Sequence, residues 1–156
     1  RGNPDKAGAA EMSLSTLEGA LQLSGQGTMG PQGVYFRGEA RSDDDHQAVL
    51  VDVRTDAERE WVGFVPDAVP IAWKNWPGMA MNPEFDQAIK AAVPAGRKVL
   101  LLCRSGVRSI AAAKRATELG LEAYNILEGF EGDPDAQAHR GNKGGWRLHG
   151  LPWRQG

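Results

Sequence analysis

The chain has 156 residues, enough for one domain with a hydrophobic core, and 41% of them are hydrophobic, as is ordinary for a globular protein. Its 18 basic and 20 acidic residues give a net charge of −2, which argues against a general attraction to nucleic acid or to an anionic membrane. The single cysteine excludes an internal disulfide, and with only three scattered histidines the chain lacks the ligand set of a structural zinc or multi-thiolate metal site.

The first 47 residues form a segment to which the sequence assigns no role. Residues 13–23 predict a short amphipathic helix, and the glycine-rich stretch 25–33 predicts a loop. A short edge strand is expected at 34–36, followed by a polar connector over 41–47. We expect this segment to pack on the same domain as the rest of the chain.

From Ala48 onward, short apolar runs alternate with helical patterns. The predicted strands are 48–53, 68–72, 99–102 and 123–127, and the predicted helices are 55–61, 82–93 and 109–119. Thr55 is the expected N-cap of the first helix, with Glu58 completing a capping box. Gly120 is expected to end the last helix. This alternation predicts an α/β domain whose central, mainly parallel sheet is flanked by helices.

Cys103 lies where the strand 99–102 ends and a short loop leads into the helix 109–119. At such a junction, backbone N–H groups and the positive end of the helix dipole converge and favour an anion. A thiolate is an anion, so the position favours a nucleophilic role for Cys103 over simple packing in the core. Parallel α/β domains bind ligands at the carboxyl ends of their strands, and Cys103 lies at one of them.

The loop after Cys103 supplies groups that can hold a small anion: two arginines for charge-assisted hydrogen bonds, a glycine that lets the backbone approach, and two serine hydroxyls. The candidate substrate-binding residues are Arg104, Ser105, Gly106, Val107, Arg108 and Ser109. No acidic residue falls between 87 and 117, so the thiol lies in a cationic part of the chain. Thiosulfate, phosphate esters and arsenate suit such a loop. A Cys–His acyl transferase is the weaker interpretation, because no histidine is near Cys103 in sequence.

The C-terminal tail, 141–156, is rich in glycine and tryptophan and lacks regular periodicity. We expect Trp146, Leu151 and Trp153 to pack it onto the domain. Trp73 and Trp76 follow a predicted strand end, so they are the candidates for the wall of a pocket.

Several short motifs follow one another in a fixed order: LVDVR at 50–54, EWVGFVPDA at 60–68, CRSGVRS at 103–109, LEGF at 127–130, and the tail pairs WR at 146–147 and GLPW at 150–153. In this order they resemble the single-domain, bacterial type of rhodanese-like sulfurtransferase. The resemblance covers residues 48–156, which would form the rhodanese-like domain with its Trp-rich tail.

The resemblance implies a five-stranded parallel sheet and an enzyme, a thiosulfate sulfurtransferase, that needs no cofactor or metal. Cys103 would accept a sulfane sulfur as a persulfide from thiosulfate or a persulfide donor. Asp52 and Arg54 would brace the fold beside the loop. Phe64 and Asp67 depart from the family's Gly-His-Ile/Val-Pro-Gly pattern, which we interpret as structural changes.

Loop length separates sulfur transfer from phosphoryl transfer. Cysteine-dependent phosphatases of this fold and of the tyrosine-phosphatase type place their arginine six positions after the cysteine, whereas Arg108 is five positions after Cys103. The loop is one residue short for phosphate, so a phosphatase or arsenate reductase is the weaker alternative. The other alternative is a persulfide carrier or protein-interaction module without turnover, because the tail and the N-terminal segment leave room for docking.

The expected partners are a small sulfur-containing anion, an external thiol or cyanide as acceptor, and a sulfur-relay protein, but neither nucleic acid nor membrane. No run approaches the ~18 apolar residues that a membrane span needs. Without a second cysteine, another molecule must discharge the persulfide, which favours a reducing cytoplasm over the periplasm. Because the chain begins at Arg1, we also expect a processed product from which a targeting segment would already be gone, and this leaves the periplasm open.

Overall fold

The computed structural model describes the backbone of residues 9–12, 24–30, 33–38 and 48–156, and the side chains from residue 49 onward. The helix expected over 13–23 and the connector expected over 41–47 lie outside the described residues. In the described part of the chain, no helix is long and apolar enough to cross a membrane.

A five-stranded sheet forms the centre of the fold. Its strands lie in the order β1 (Ala9–Met12), β9 (Glu122–Ile126), β8 (Lys98–Leu102), β4 (Ala48–Asp52) and β5 (Val69–Pro70), and each neighbouring pair is parallel. The predicted α/β fold with a parallel sheet is therefore confirmed. β4 and β8 pair from Ala48 opposite Lys98 to Asp52 opposite Leu102, so the two strands end level with each other. The segments that follow them must start side by side.

The glycine-rich segment contains a strand where a loop is expected. β2 (Ser24–Gly30) pairs antiparallel with β3 (Gly33–Gly38), with Gly27 opposite Phe36. The loop prediction is wrong for residues 25–30 because main-chain hydrogen bonds to a neighbouring strand hold this stretch extended and need no side chains. The strand expected at 34–36 is confirmed within β3, and this pair forms a sheet of its own.

The helices agree with the sequence pattern to within a few residues. They are α1 (Asp56–Trp61), α2 (Phe85–Ala92) and α3 (Val107–Glu118). The capping box is confirmed, since Glu58 N donates to Thr55 Oγ1 at 3.2 Å and Thr55 N donates to Glu58 Oε1 at 3.1 Å. A small hairpin of β6 (Lys74–Asn75) and β7 (Ala80–Met81) precedes α2 and has no counterpart in the sequence-based prediction.

Side chains of β8 alternate between two cores on opposite faces of the sheet. Leu100 and Leu102 pack against the segment after β9 and the C-terminal tail. Val99, Leu101 and then Cys103 pack on the face covered by α2 and α3. The alternation therefore directs Cys103 toward the helix that follows it in the chain.

The C-terminal tail covers the first of these faces. Trp146 and Leu151 are buried in that core. The ring of Trp153 meets Phe130 edge-to-face, with 6.0 Å between the ring centroids. The packing expected for these three tail residues is confirmed.

Gly129 allows the segment after β9 to lie directly on the loop that follows β8. Phe130 N donates to Cys103 O at 2.8 Å, and Glu131 N donates to Arg104 O at 2.9 Å. Gly129 has φ +70°, and a Cβ there would lie 2.5 Å from the Arg104 carbonyl carbon and oxygen. Two main-chain segments thus touch at a point where only glycine fits.

We expect Gly129→Ala to lower the free energy of unfolding by about 2–4 kcal/mol, because a backbone clash adds to the strain of the positive φ. Gly120→Ala is the matched control: Gly120 has φ +92° with no atom within 4 Å of a built Cβ, so this variant should lose only about 1 kcal/mol. Urea unfolding of both variants measures the difference. Equal losses would contradict the close approach at Gly129.

Candidate active site around Cys103

The Cys103 sulfur lies in a ring of hydrogen-bond donors at the carboxyl end of β8. The residue is 1% exposed. Its Sγ accepts from Gly106 N at 3.1 Å, Ser109 N at 3.4 Å and Ser109 Oγ at 3.2 Å. The amides belong to the loop and to the first turn of α3, whose dipole also favours negative charge there. This arrangement fits a thiolate, and none of the donors is an imidazole.

Ser109 connects Cys103 to a buried amide on the neighbouring strand. Its hydroxyl, which carries one hydrogen, is also 3.2 Å from Gly106 O and hydrogen-bonded to Asn125 Oδ1. Asn125 is buried in β9, and its Nδ2 has no partner among the described residues. A half-turn of this amide would let Nδ2 donate to Ser109 Oγ and free the hydroxyl hydrogen for Cys103. The sequence analysis missed Asn125; a polar residue inside a buried strand was the available signal.

Arg108 forms a two-pronged ion pair with Glu58, a residue fifty positions earlier that the sequence analysis treated only as a helix cap. The two terminal nitrogens of the guanidinium each lie 2.7 Å from a different Glu58 carboxylate oxygen. Neither side chain is fully exposed, and the pair joins α1 to α3. Arg108 is therefore held by a carboxylate, whereas the sequence analysis placed it among the residues that hold a small anion.

The pKa values of this pair show that both groups stay charged. Burial tends to raise the pKa of Glu58, but hydrogen bonds from Arg108 and Thr55 and the positive charge of Arg108 outweigh it and lower the pKa to about 2. The hydrogen bond to Glu58 and the negative charge of that carboxylate raise the pKa of Arg108 above its ordinary value despite its burial. The pair is therefore ionic throughout the neutral range.

The other two arginines of the loop and α3, Arg104 and Arg115, differ in whether they form ion pairs. Arg115 pairs with Asp86 and Glu118, at the opposite end of α3 from the thiol. Arg104 is exposed, and its guanidinium makes no hydrogen bond or ion pair within residues 49–156. Arg108 and Arg115 are thus neutralised by carboxylates, whereas Arg104, in the loop itself, keeps a charge without a partner among the described side chains.

The remaining candidate loop residues differ in how they face solvent. The side chain of Val107 is 76% exposed, and Ser105 is partly exposed. Gly106 is buried with φ +116°, and a Cβ there would lie 2.8 Å from Leu127 O. The structure brings all the candidate loop residues to one end of the sheet, but only Gly106 and Ser109 contact the sulfur through hydrogen bonds.

Asp52 and Arg54 form a buried ion pair beside the loop. Arg54 Nη2 donates to Asp52 Oδ2 at 2.7 Å and to Gly63 O at 2.8 Å. The Arg54 guanidinium also stacks over the Phe130 ring, 4.2 Å from its centroid. These contacts tie the end of β4 to the segment after β9, which is the geometry of a brace.

A cavity of about 430 Å³ lies beside the loop, between α1 and the β6–β7 hairpin. Its apolar wall comes from Trp61, Val62, Trp76 and Met79, and its charged side from Glu58, Arg104 and Arg108.

Of the two tryptophans expected at a pocket wall, one lines this cavity and the other does not. Trp76 is confirmed in the wall of this cavity. Trp73 instead packs edge-to-face on Phe85 with 4.8 Å between centroids. Trp61 was missed, although a tryptophan on the polar face of a short helix was a visible anomaly.

Among residues 49–156, no group of three or more histidine, cysteine, aspartate or glutamate side chains lies close enough to hold a metal ion. The hydrogen-bond donors around Cys103 suit a nucleophilic sulfur that attacks a small electrophile and then holds the transferred group.

Comparison with known proteins agrees with this geometry. The model of the rhodanese-like domain family matches residues 38–133, which include the strands β4 to β9 and the Cys103 loop. The crystal structure of Rv0390 from M. tuberculosis is similar, with a TM-score of 0.64 and 46% identity over 70% of this chain and 86% of that chain. An uncharacterised protein of Rickettsia conorii is 33% identical over 112 residues, 69% of this chain and 83% of the relative. Another, from Rickettsia prowazekii, is 31% identical over 113 residues, 70% of this chain and 85% of the relative.

We expect Glu58→Gln to lower the free energy of unfolding at neutral pH by about 1–3 kcal/mol, because Arg108 loses its counter-charge while the glutamine keeps the capping box. The folded-state pKa of Glu58, about 2, is below its ordinary value of 4.5, so the carboxylate adds stability above pH 4.5 that is lost as pH falls toward 2. Urea unfolding at a series of pH values should show the variant and wild type converging across this window.

Asp86→Asn is the control for this prediction. It removes a carboxylate that also pairs with an arginine, but on the exposed surface, so little loss of stability is expected at any pH. A Glu58→Gln deficit that is the same at neutral pH and in acid would contradict the role given to the carboxylate charge.

Proposed function

This chain belongs to the rhodanese-like domain family, and from that premise we propose that it is a sulfurtransferase in which Cys103 carries the transferred sulfur as a persulfide. The donor is thiosulfate or a persulfide, and the acceptor is a thiophile such as cyanide or an external thiol. The observation that supports this most directly is the ring of donors around Cys103 Sγ, formed by Gly106 N, Ser109 N and Ser109 Oγ.

In the proposed first half-reaction, the Cys103 thiolate attacks the sulfane sulfur of thiosulfate. A bond forms between Sγ and that sulfur, the bond to the sulfonate sulfur breaks, and sulfite leaves with the electron pair. The amides of Gly106 and Ser109, which donate to Sγ, and the positive end of α3 would stabilise the negative charge of the persulfide. Arg104, exposed and without a partner among the described side chains, attracts the incoming anion.

In the proposed second half-reaction, the acceptor attacks the terminal sulfur of the persulfide. Cyanide leaves as thiocyanate, or a thiolate leaves as an organic persulfide, and the Cys103 thiolate is restored with the electron pair of the broken S–S bond. The chain has one cysteine, so no second thiol of its own can resolve the persulfide. An external thiol or a sulfur-relay protein must do so.

The Glu58 ion pair favours sulfur transfer over phosphoryl transfer. A cysteine-dependent phosphatase needs the loop arginine to hold two oxygens of the phosphoryl group with its guanidinium fork. Here both terminal nitrogens of Arg108 are engaged by Glu58 at 2.7 Å. A phosphate would have to compete with an ionised carboxylate for the same fork.

The test combines catalysis with the state of the cysteine. Wild-type protein given thiosulfate and cyanide should produce thiocyanate, and Cys103→Ser, which keeps a small side chain in the buried site, should fall to background. Intact-mass analysis after thiosulfate alone should show a gain of one sulfur atom in the wild type and none in the variant. An aryl phosphate should not be hydrolysed by either protein.

Each result distinguishes among the candidate functions. A sulfur adduct without thiocyanate would replace the enzyme with a carrier that does not turn over. Neither adduct nor thiocyanate from a folded wild type would overturn the proposal, and phosphate hydrolysis that depends on Cys103 would move the chain to phosphoryl transfer. Circular dichroism of both proteins provides the folding control.

A further inference from the structure

The cavity beside the Cys103 loop has an apolar wall that sulfur transfer from an inorganic anion does not require. Trp61 is 73% exposed and Trp76 is 64% exposed, yet the two indoles come from separate elements to line the same space with Met79. Large apolar side chains gathered at a cavity and left in contact with water mark a binding surface.

The size of the cavity also exceeds what an inorganic donor would fill. Cavities that bind organic molecules of drug-like size run from about 300 to 1,000 Å³. The cavity here, about 430 Å³, falls in this range. Thiosulfate has only a few atoms and no apolar surface, so it would leave most of the wall in contact with water.

The charges around the cavity favour a monoanion. Arg108 is neutralised by Glu58, and the ionised Glu58 carboxylate itself lines the cavity. Arg104 contributes the positive charge that is without a partner among the described residues. One free cation beside a carboxylate matches a singly charged head better than doubly charged thiosulfate.

We propose that this cavity selects organic sulfane-sulfur donors, which join an apolar and preferably aromatic body to a singly charged terminal sulfur. This inference rests on the proposed sulfurtransferase function and deepens it. Organic thiosulfonates and organic persulfides share this chemistry. The body lies between Trp61 and Trp76, and the anionic head faces Arg104 and the Cys103 loop.

The reaction is balanced without any further oxidant or reductant. The Cys103 thiolate attacks the terminal sulfur, and the Sγ–S bond forms. The bond between that sulfur and the organic group breaks, and the organic group leaves with the electron pair. It leaves as a sulfinate from a thiosulfonate, or as a thiolate from a persulfide.

The experiment compares two thiosulfonates that carry the same head. Benzenethiosulfonate has an aromatic body and methanethiosulfonate has a single methyl group, and both transfer sulfur to cyanide. We expect the wild type to prefer the benzene compound by about tenfold in kcat/KM, chiefly through KM, because the ring buries apolar area against the indoles. Trp61→Ala and Trp76→Ala should each lower this preference about three- to tenfold.

Met81→Ala provides the matched control. Met81 is a large exposed apolar residue on the same hairpin as Trp76, but it does not line the cavity, so the preference should stay at the wild-type value. Equal kcat/KM for the two thiosulfonates in the wild type would overturn the inference. So would tryptophan variants that keep the wild-type preference.

Binding measurements separate this inference from the proposed function. Benzenesulfonate and methanesulfonate cannot donate sulfur, and calorimetry with Cys103→Ser should show tighter binding of the aromatic sulfonate, weakened by Trp61→Ala. Selective binding without any sulfur transfer would leave the cavity assignment intact and remove the sulfurtransferase proposal. Sulfur transfer without selectivity would keep the sulfurtransferase proposal and remove the cavity assignment.

Discussion

The ion pair between Glu58 and Arg108 is the interaction on which the site depends. β4 and β8 are neighbours that end level, so α1 and the Cys103 loop begin side by side. Glu58 lies in the first turn of α1 and Arg108 is the second residue of α3, and their bidentate contact joins these two helix starts. Because Glu58 also caps α1 through Thr55, the same carboxylate fixes a helix start and the position of the loop.

The loop is held from its other side by main chain, which makes the donor ring around Cys103 rigid. The segment after β9 donates to the carbonyls of Cys103 and Arg104 and can do so only because Gly129 has no side chain. Phe130, next along, packs beneath the Arg54 guanidinium, so the buried Asp52–Arg54 pair supports the same contact. Hydrogen-bond donors that are already in place need little reorganisation when negative charge forms beside them, and electrostatic stabilisation of that charge requires this.

Local patterns in the sequence were sufficient for most of the fold and for the position of Cys103 at the carboxyl end of a parallel strand. The capping box at Thr55 and the strand–loop–helix junction at Cys103 are short-range features, so a linear pattern predicts them. The partner of Arg108 could not be predicted this way, because Glu58 is fifty residues away and its local role already explained it. Asn125 and Trp61 likewise acquire their roles from tertiary neighbours. The strand β2 could not be predicted from the sequence, because its glycines give no alternation of apolar and polar side chains.

The burial of Cys103 and the open cavity beside it together assign different parts of the proposed reaction to different surfaces. Because Cys103 is only 1% exposed, bulky electrophiles are kept from its sulfur, and in the proposed reaction a donor must present a terminal sulfur to reach it. The persulfide that forms places its reactive atom one S–S bond, about 2.05 Å, farther out. An acceptor therefore needs to reach only that outer sulfur. In this proposal, the buried hydrogen-bond donors stabilise the negative charge of the thiolate, and the exposed tryptophan wall selects the sulfur donor.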